Sequence, residues 1–338
     1  MTDITTRIDG AAGRITLTRP AALNALTYDM AIAIEQALDA WAGDDAVSLV
    51  ILEAEGEKAF CAGGDVAEIY RRGIAGDHDY ARTFWRDEYR MNAKIAGYGK
   101  PVVSFLHGFV MGGGVGIGCH GSHRIVCDSS RISMPECAIG LIPDVGGSLL
   151  LSRAPGRLGE FLGLTGHRMD AGDAIHCGFA DHYVPAERWD SLKDALCQGD
   201  IDAVAKAAAP APTSALAAQD WIDTCFDGTL PEIIACTTDE RSAKALSTGS
   251  PLSMACTLEM LRRLREADAG IRQALDLEFA FTWRALGQSD FLEGVRAALI
   301  DKDRSPKWRQ TPDGVTKDEV DAMLAALEEN ALVWEDTA

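Results

Sequence analysis

Gly112-Gly113-Gly114-Val115-Gly116, then Met134-Pro135-Glu136, then Ile142-Pro143-Asp144-Val145-Gly146-Gly147 form the stretch on which the reading of this chain turns. Three consecutive glycines after an apolar run leave a backbone without side chains, which another group can approach closely. Two carboxylates follow, Glu136 and Asp144, each beside a proline and flanked by apolar residues that would partly desolvate it. Upstream, Ala59-Phe60-Cys61-Ala62-Gly63-Gly64-Asp65 is a second small-residue turn able to present a backbone N–H. Two bare N–H donors and two acidic groups are the equipment of acyl chemistry: an oxyanion hole, and carboxylates acting as acid, base or nucleophile.

Around that stretch the pattern is α/β. Residues 14–18 alternate as a strand does, and Tyr28 to Trp41 has helical periodicity behind a Thr27 cap. Val47–Leu52 and Pro101–Leu106 are short apolar runs suited to buried parallel strands. Val66–Arg72 and Tyr80–Ala96 read as helices, a further helix begins at Val115, and residues 124–126 and 131–134 read as strands. Strand–loop–helix units thus recur, with the glycine-rich loops at the strand ends where α/β folds carry ligands. Beyond about Val184 helical segments dominate, among them 191–197, 203–208, 215–223, 252–267 and 271–286. The expected division is a catalytic core over residues 1–185 and a mainly helical region over 186–338.

The chain has 338 residues and a net charge of −19, which argues against nucleic acid and anionic membrane surfaces as partners. No signal-peptide pattern or membrane-length apolar stretch is visible, and nine scattered cysteines without a C-x-x-C pair predict free thiols in a reducing cytoplasm. No metal-ligand spacing is recognisable: Cys119-His120 with His123 matches no standard site. The absence of Gly-x-Ser-x-Gly gives no support to a Ser-His-Asp esterase.

Residues 59–65, 112–116 and 134–147 together resemble the crotonase (enoyl-CoA hydratase/isomerase) superfamily, and Arg19-Pro20…Leu23-Asn24-Ala25-Leu26 is similar to its early acyl-CoA-lining loop. The tail Phe291-Leu292-Glu293-Gly294-Val295-Arg296…Ile300-Asp301-Lys302-Asp303…Ser305-Pro306-Lys307-Trp308 extends the resemblance to the 3-hydroxyisobutyryl-CoA hydrolases and to nearly the whole chain. The resemblance implies a spiral of ββα units, an acyl-CoA thioester substrate and no separate cofactor, since coenzyme A belongs to the substrate. It places the oxyanion hole at the backbone N–H groups of Gly64 and Gly113; loss of one such donor costs roughly 3–4 kcal/mol. It also implies that the protein can form homo-oligomers.

Resembling hydratases carry two glutamates, one just after the glycine triplet and one in Met-Pro-Glu. Here the first position is Gly116, only Glu136 remains, and Asp144 stands where hydratases have glycine. Hydration needs an acid and a base across a double bond, so this exchange of carboxyls argues for different chemistry, and the resembling hydrolases carry that pattern. An isomerase or hydratase-like enzyme and a non-catalytic acyl-CoA binder are the alternatives. Glu136 is assigned to the thioester carbonyl, as nucleophile or as general base on water. Asp144 orients the substrate hydroxyl or the water and shapes the proton balance of Glu136, or else caps the helix that begins near Gly146. Glu88 matches an acidic position near the acyl end, with Asn92 one turn on. Lys58 is a candidate for the coenzyme A phosphates, and Phe84, Trp85, Tyr89 and Phe109 are candidate acyl-pocket or plain core aromatics.

Overall fold

The computed structural model describes residues 3–334. Among the described residues nine strands run in chain order: β1 (Ile4–Asp9), β2 (Ala12–Leu17), β3 (Leu49–Ala54), β4 (Ala59–Cys61), β5 (Val102–Leu106), β6 (Phe109–Met111), β7 (His123–Val126), β8 (Arg131–Ser133) and β9 (His182–Tyr183). They form a six-stranded sheet, β1-β2-β3-β5-β7-β9, and a three-stranded sheet, β4-β6-β8. Of these strand pairs only β1–β2 is antiparallel. Each of β3, β5 and β7 is followed within a few residues by a strand of the small sheet and then by helix, the recurrence expected of a crotonase-like ββα spiral.

The chain gathers into two compact units, each built from separated segments, and these cut across the 1–185/186–338 division. One takes in the chain up to Gly64, Met91–Ser133 and Arg168–Ala218, and holds both sheets. Strands β3 and β5 are buried almost end to end, as parallel strands covered on both faces must be. Leu49, Ile51, Val103, Phe105 and Ile125 pack in one cluster with Trp189, Leu192 and Leu196 of the Trp189–Cys197 helix. Glu53 on β3 is tied there by Arg14 (2.7 Å) and Lys193 (2.9 Å).

The other unit comprises Asp65–Arg90, Met134–His167 and the chain from Gln219 onward, and among the described residues it has no strand. The helices Gly147–Arg153, Leu158–Thr165 and Pro251–Glu266 pack on one another, and Arg265 reaches from the last to Glu160 (2.8 Å) and to the Ser152 carbonyl (2.9 Å). The tail motif ties itself: Arg296 is bonded to Glu293, Asp301 and Asp303.

Two expectations are corrected here. The cysteines are not all free: Cys225 and Cys236 are disulfide-bonded, because the short helices Asp220–Cys225 and Leu230–Cys236 both end with a cysteine and bring the two Cα atoms to 5.3 Å. The helix after the glycine triplet starts at Gly113 and not at Val115, so the glycines are its first turn.

Candidate active site

The two expected main-chain donors follow neighbouring parallel strands of the small sheet, Gly64 after β4 and Gly113 after β6. The close approach that needs glycine is measurable. A Cβ on Gly114 would lie 2.2 Å from the Cys61 carbonyl oxygen. Gly112 and Gly63 also adopt φ of 47° and 119°, which side-chain-bearing residues rarely tolerate. Gly113 is the first residue of its helix, so its N–H has no carbonyl to bond within that helix and lies at the positive end of the helix dipole. Asn24 locks the preceding loop: its side chain accepts from Arg19 N–H and donates to the carbonyls of Glu55 and Ala59, each at 2.9 Å. Leu26 N–H then bonds Gly63 O at 2.9 Å, fixing the turn that carries Gly64.

Glu136 opens a single 3-10 turn, Glu136–Ile139, that the C-terminal helices pin from outside. Ser250 N–H donates to Cys137 O (2.9 Å) and Ser289 Oγ to Gly140 O (3.2 Å), while a Cβ on Gly140 would collide with the Asp290 backbone at 2.4 Å. Asp144 begins a tight turn closed by Gly147 N–H on its own carbonyl at 2.7 Å. Both central residues of that turn have positive φ, Val145 at 55° and Gly146 at 79°. For a β-branched valine this is a strained conformation, worth about 1–3 kcal/mol.

In the same unit the Tyr89 hydroxyl donates to Asp144 Oδ2 at 2.7 Å. Tyr89 thus holds the carboxylate by its polar end, besides stacking edge-on against Phe279. Asp144 does not cap the next helix. The N–H groups of Gly146 (2.8 Å) and Ser148 (3.2 Å) donate instead to Glu278, more than a hundred residues further along the chain.

Four carboxyls, Glu88, Glu136, Asp144 and Glu278, are therefore buried and electrostatically coupled. Burial is the largest cause of the shift in each case. It raises Glu88 and Glu136 well above the usual carboxylate range, with the charges of Asp144 and Glu278 adding to the effect. Asp144 is pushed up to about 7 by burial against the opposing pull of its Tyr89 bond, and Glu278 to about 8. No lysine or arginine is among the groups that perturb these four. Among the described residues Glu88 Oε1 and Glu136 Oε2 have no hydrogen-bond partner. The cluster can hold and release protons near neutral pH, and its unpartnered oxygens are open to a substrate or water.

The remaining expected residues divide. Asn92, one turn after Glu88 on the His78–Ala96 helix, is fully buried with both amide atoms unpartnered. Lys58 is exposed and borders a cavity of about 330 Å³ with Pro20, Ala21, Glu55 and Glu57. Phe84 and Trp85 are buried, with Trp85 edge-on to Phe291. Phe109, on β6, has the Arg168 guanidinium 5.3 Å over its ring. His107 is half-buried, and burial lowers its pKa. The sequence reading missed Glu278 and the phenol of Tyr89. Glu278 sits in a strongly helical segment, between Leu277 and Phe279 and two residues after Asp276.

The chain belongs to the enoyl-CoA hydratase/isomerase family, whose model matches residues 12–324. Within it, the chain is 38% identical over 342 residues to the mitochondrial 3-hydroxyisobutyryl-CoA hydrolase of Danio rerio, covering 96% of this chain and 89% of that protein. Among solved structures it is similar to one described as an enoyl-CoA hydratase from Rhodobacter sphaeroides 2.4.1, with a TM-score of 0.94 and 56% identity over 98% of this chain and all of the other. It is also similar to one described as a carnitinyl-CoA dehydratase from Mycobacterium thermoresistibile, with a TM-score of 0.94 and 42% identity over 99% of this chain and all of the other.

Proposed function

We propose that this protein hydrolyses a short-chain 3-hydroxyacyl-CoA thioester, of the 3-hydroxyisobutyryl-CoA type, to the free acid and coenzyme A. The observation that carries the reading is the state of Asp144: a buried carboxyl held by Tyr89 in a strained turn, in a chain with Gly116 where hydratases have a glutamate. The near full-length similarity to named hydrolases supports the same assignment.

In the proposed mechanism the N–H groups of Gly64 and Gly113 take the negative charge that develops on the thioester oxygen. Glu136, as carboxylate, either attacks the carbonyl carbon or removes a proton from the water that does. On the general-base path the new C–O bond forms as the C–S bond breaks, and the proton that Glu136 took from water passes to the departing thiolate; on the anhydride path Glu136 is acylated as the C–S bond breaks, and the thiolate takes its proton from the water of the second step. In the anhydride path water then cleaves the acyl-glutamate. Asp144 and Glu88 accept hydrogen bonds from the 3-hydroxyl or the water, the unpartnered amide of Asn92 binds near the acyl end, and Lys58 meets the coenzyme A phosphates.

The second reading, a hydratase, is favoured by the description of the 56% identical solved structure. Thiol release separates the two. The protein is assayed against 3-hydroxyisobutyryl-, 3-hydroxypropionyl- and crotonyl-CoA with a thiol reagent and, in parallel, by the crotonyl absorbance. Thiol release from the hydroxy esters, lost in Glu136→Gln, is the expected result. Loss of crotonyl absorbance without free thiol would hand the activity to a hydratase.

A further inference from the structure

Glu278 has no part in the mechanism above, yet it is the most completely satisfied acid of the cluster. It is fully buried in the middle of the Ile271–Gln288 helix, and its carboxylate accepts from Gly146 N–H (2.8 Å), Ser148 N–H (3.2 Å) and the Ser148 hydroxyl. Donors converging on one carboxyl favour its ionised form, but burial outweighs them here and pushes Glu278 up to about 8. The same contacts span the turn whose centre is the strained Val145, so they hold in place the backbone that carries Asp144. Strain of this kind persists only where surrounding structure over-determines it. Here that structure is a side chain from a distant helix.

We propose that Glu278 is a positioning residue for the thioester hydrolysis. Its carboxyl clamps the Asp144–Ser148 turn so that Asp144 meets Tyr89. The inference rests on the hydrolase reading for its kinetic consequence and on geometry alone for its electrostatic one. The titratable groups coupled to Glu278 are Asp144 from the turn, Glu88 and Tyr89 from the His78–Ala96 helix, and Glu136 from its 3-10 turn. Charged groups on the helices packed against it are engaged elsewhere. Arg153 binds the Ala269 carbonyl, Arg262 and Arg263 bind Glu259, Arg265 binds Glu160, Lys317 binds Asp321, and Arg296 binds Glu293.

Glu278→Gln keeps an acceptor for Gly146 N–H and removes the charge. The expected result is a fall in kcat of about ten- to a hundredfold with KM within about threefold, because misplacing a catalytic group by about 1 Å can cost on the order of a hundredfold. The acidic limb of the kcat profile should also move up, since an Asp144 that loses the Tyr89 bond loses the contact that holds its carboxyl down against burial. Without any substrate, the ¹³C titration of the Asp144 carboxyl should rise in midpoint for the same reason. This second measurement stands even if wild type releases no thiol, an outcome that would sink the hydrolase reading alone. Ser148→Ala, which deletes one donor and leaves the main-chain pair, should produce the same changes at smaller size and covers the case in which Glu278→Gln does not fold. Unchanged kcat, pH limb and Asp144 titration, with or without a loss of thermal stability, would reduce Glu278 to a structural cap and overturn the proposal.

Discussion

Replacing Asp144 with asparagine should make the protein more stable as the pH rises, while destroying its turnover. The carboxyl is raised from 3.8 to about 7 in the folded state, chiefly by burial. Between those values the folded chain keeps a proton that the unfolded chain releases. The stability this group contributes is therefore complete below about pH 4, declines as pH climbs, and is lost once pH has passed about 7. At about 1.4 kcal/mol per pH unit, the burden in wild type is about 1.6 kcal/mol at pH 5 and about 4 kcal/mol at pH 8. The Asp144→Asn variant, with an amide that does not titrate, carries none of it. The substitution also weakens the bond from Tyr89, by about 1 kcal/mol, but that loss is the same at both pH values. The difference between mutant and wild type should thus grow by about 3 kcal/mol from pH 5 to pH 8 in favour of the mutant. Relief of Glu88 and Glu136, which the Asp144 charge pushes up, adds in the same direction. Urea unfolding of both proteins at the two pH values measures this difference directly, and the slope m, held equal, confirms that the same surface is exposed. Two stability curves that run parallel from pH 5 to pH 8 would refute the reasoning, because an Asp144 that titrates as an ordinary solvated carboxyl gives no such divergence.

Three other outcomes follow from the same structure. Gly114→Ala would drive a Cβ to 2.2 Å from the Cys61 carbonyl, backbone against backbone, so kcat for thiol release should fall by at least about a hundredfold while far-ultraviolet circular dichroism stays near wild type; a fully active mutant would exclude the donor pair as an oxyanion hole. Glu53 is held below the usual carboxylate value by Lys193 and Arg14 despite its burial, so its contribution is present above about pH 4.3 and fades as pH falls through its folded value. Glu53→Gln, which takes the carboxylate from Lys193 and leaves Arg14 with Asp9, should cost about 2–3 kcal/mol at pH 7 by calorimetry, and an unshifted melting temperature would contradict that. Reducing Cys225–Cys236, whose partners are separated by 11 positions, should lower stability by up to about 3 kcal/mol with no effect on thiol-ester turnover measured after the reductant is removed and the thiols are alkylated.

Much of the fold was legible because its signals are local. Thr27 is followed by a helix-period run, and its hydroxyl does accept from Met30 N–H, so that helix could be placed to within a residue. The apolar runs before Ala54 and Leu106 could be read as covered parallel strands for the same reason. The three-residue strands β4 and β6 carry no such pattern, since they are shorter than one alternation needs, and they emerge only from pairing with each other. The disulfide was hidden in the same way: nothing in the spacing of Cys225 and Cys236 announces that two helix ends will meet.

Glu136 and Asp144 could be singled out from sequence because proline and glycine mark the turns that carry them, and turn chemistry is written in neighbouring residues. Glu278 could not. Its significance lies in which backbone groups it satisfies more than a hundred residues away, and on its own helix nothing in the sequence sets it apart from Asp276. The cap expected of Asp144 shows what such a partner changes. An aspartate three positions before a helix that begins at Gly147 can spend its carboxylate on the free N–H groups; here Glu278 takes those donors and leaves Asp144 Oδ2 to Tyr89. Four buried carboxyls with no cation among them are costly to a fold, and a chain under pressure for stability alone would replace them with apolar side chains. Keeping them makes physical sense only where proton affinity near neutral pH is itself the useful property, as it is for a base that must take a proton from water and yield it to a thiolate.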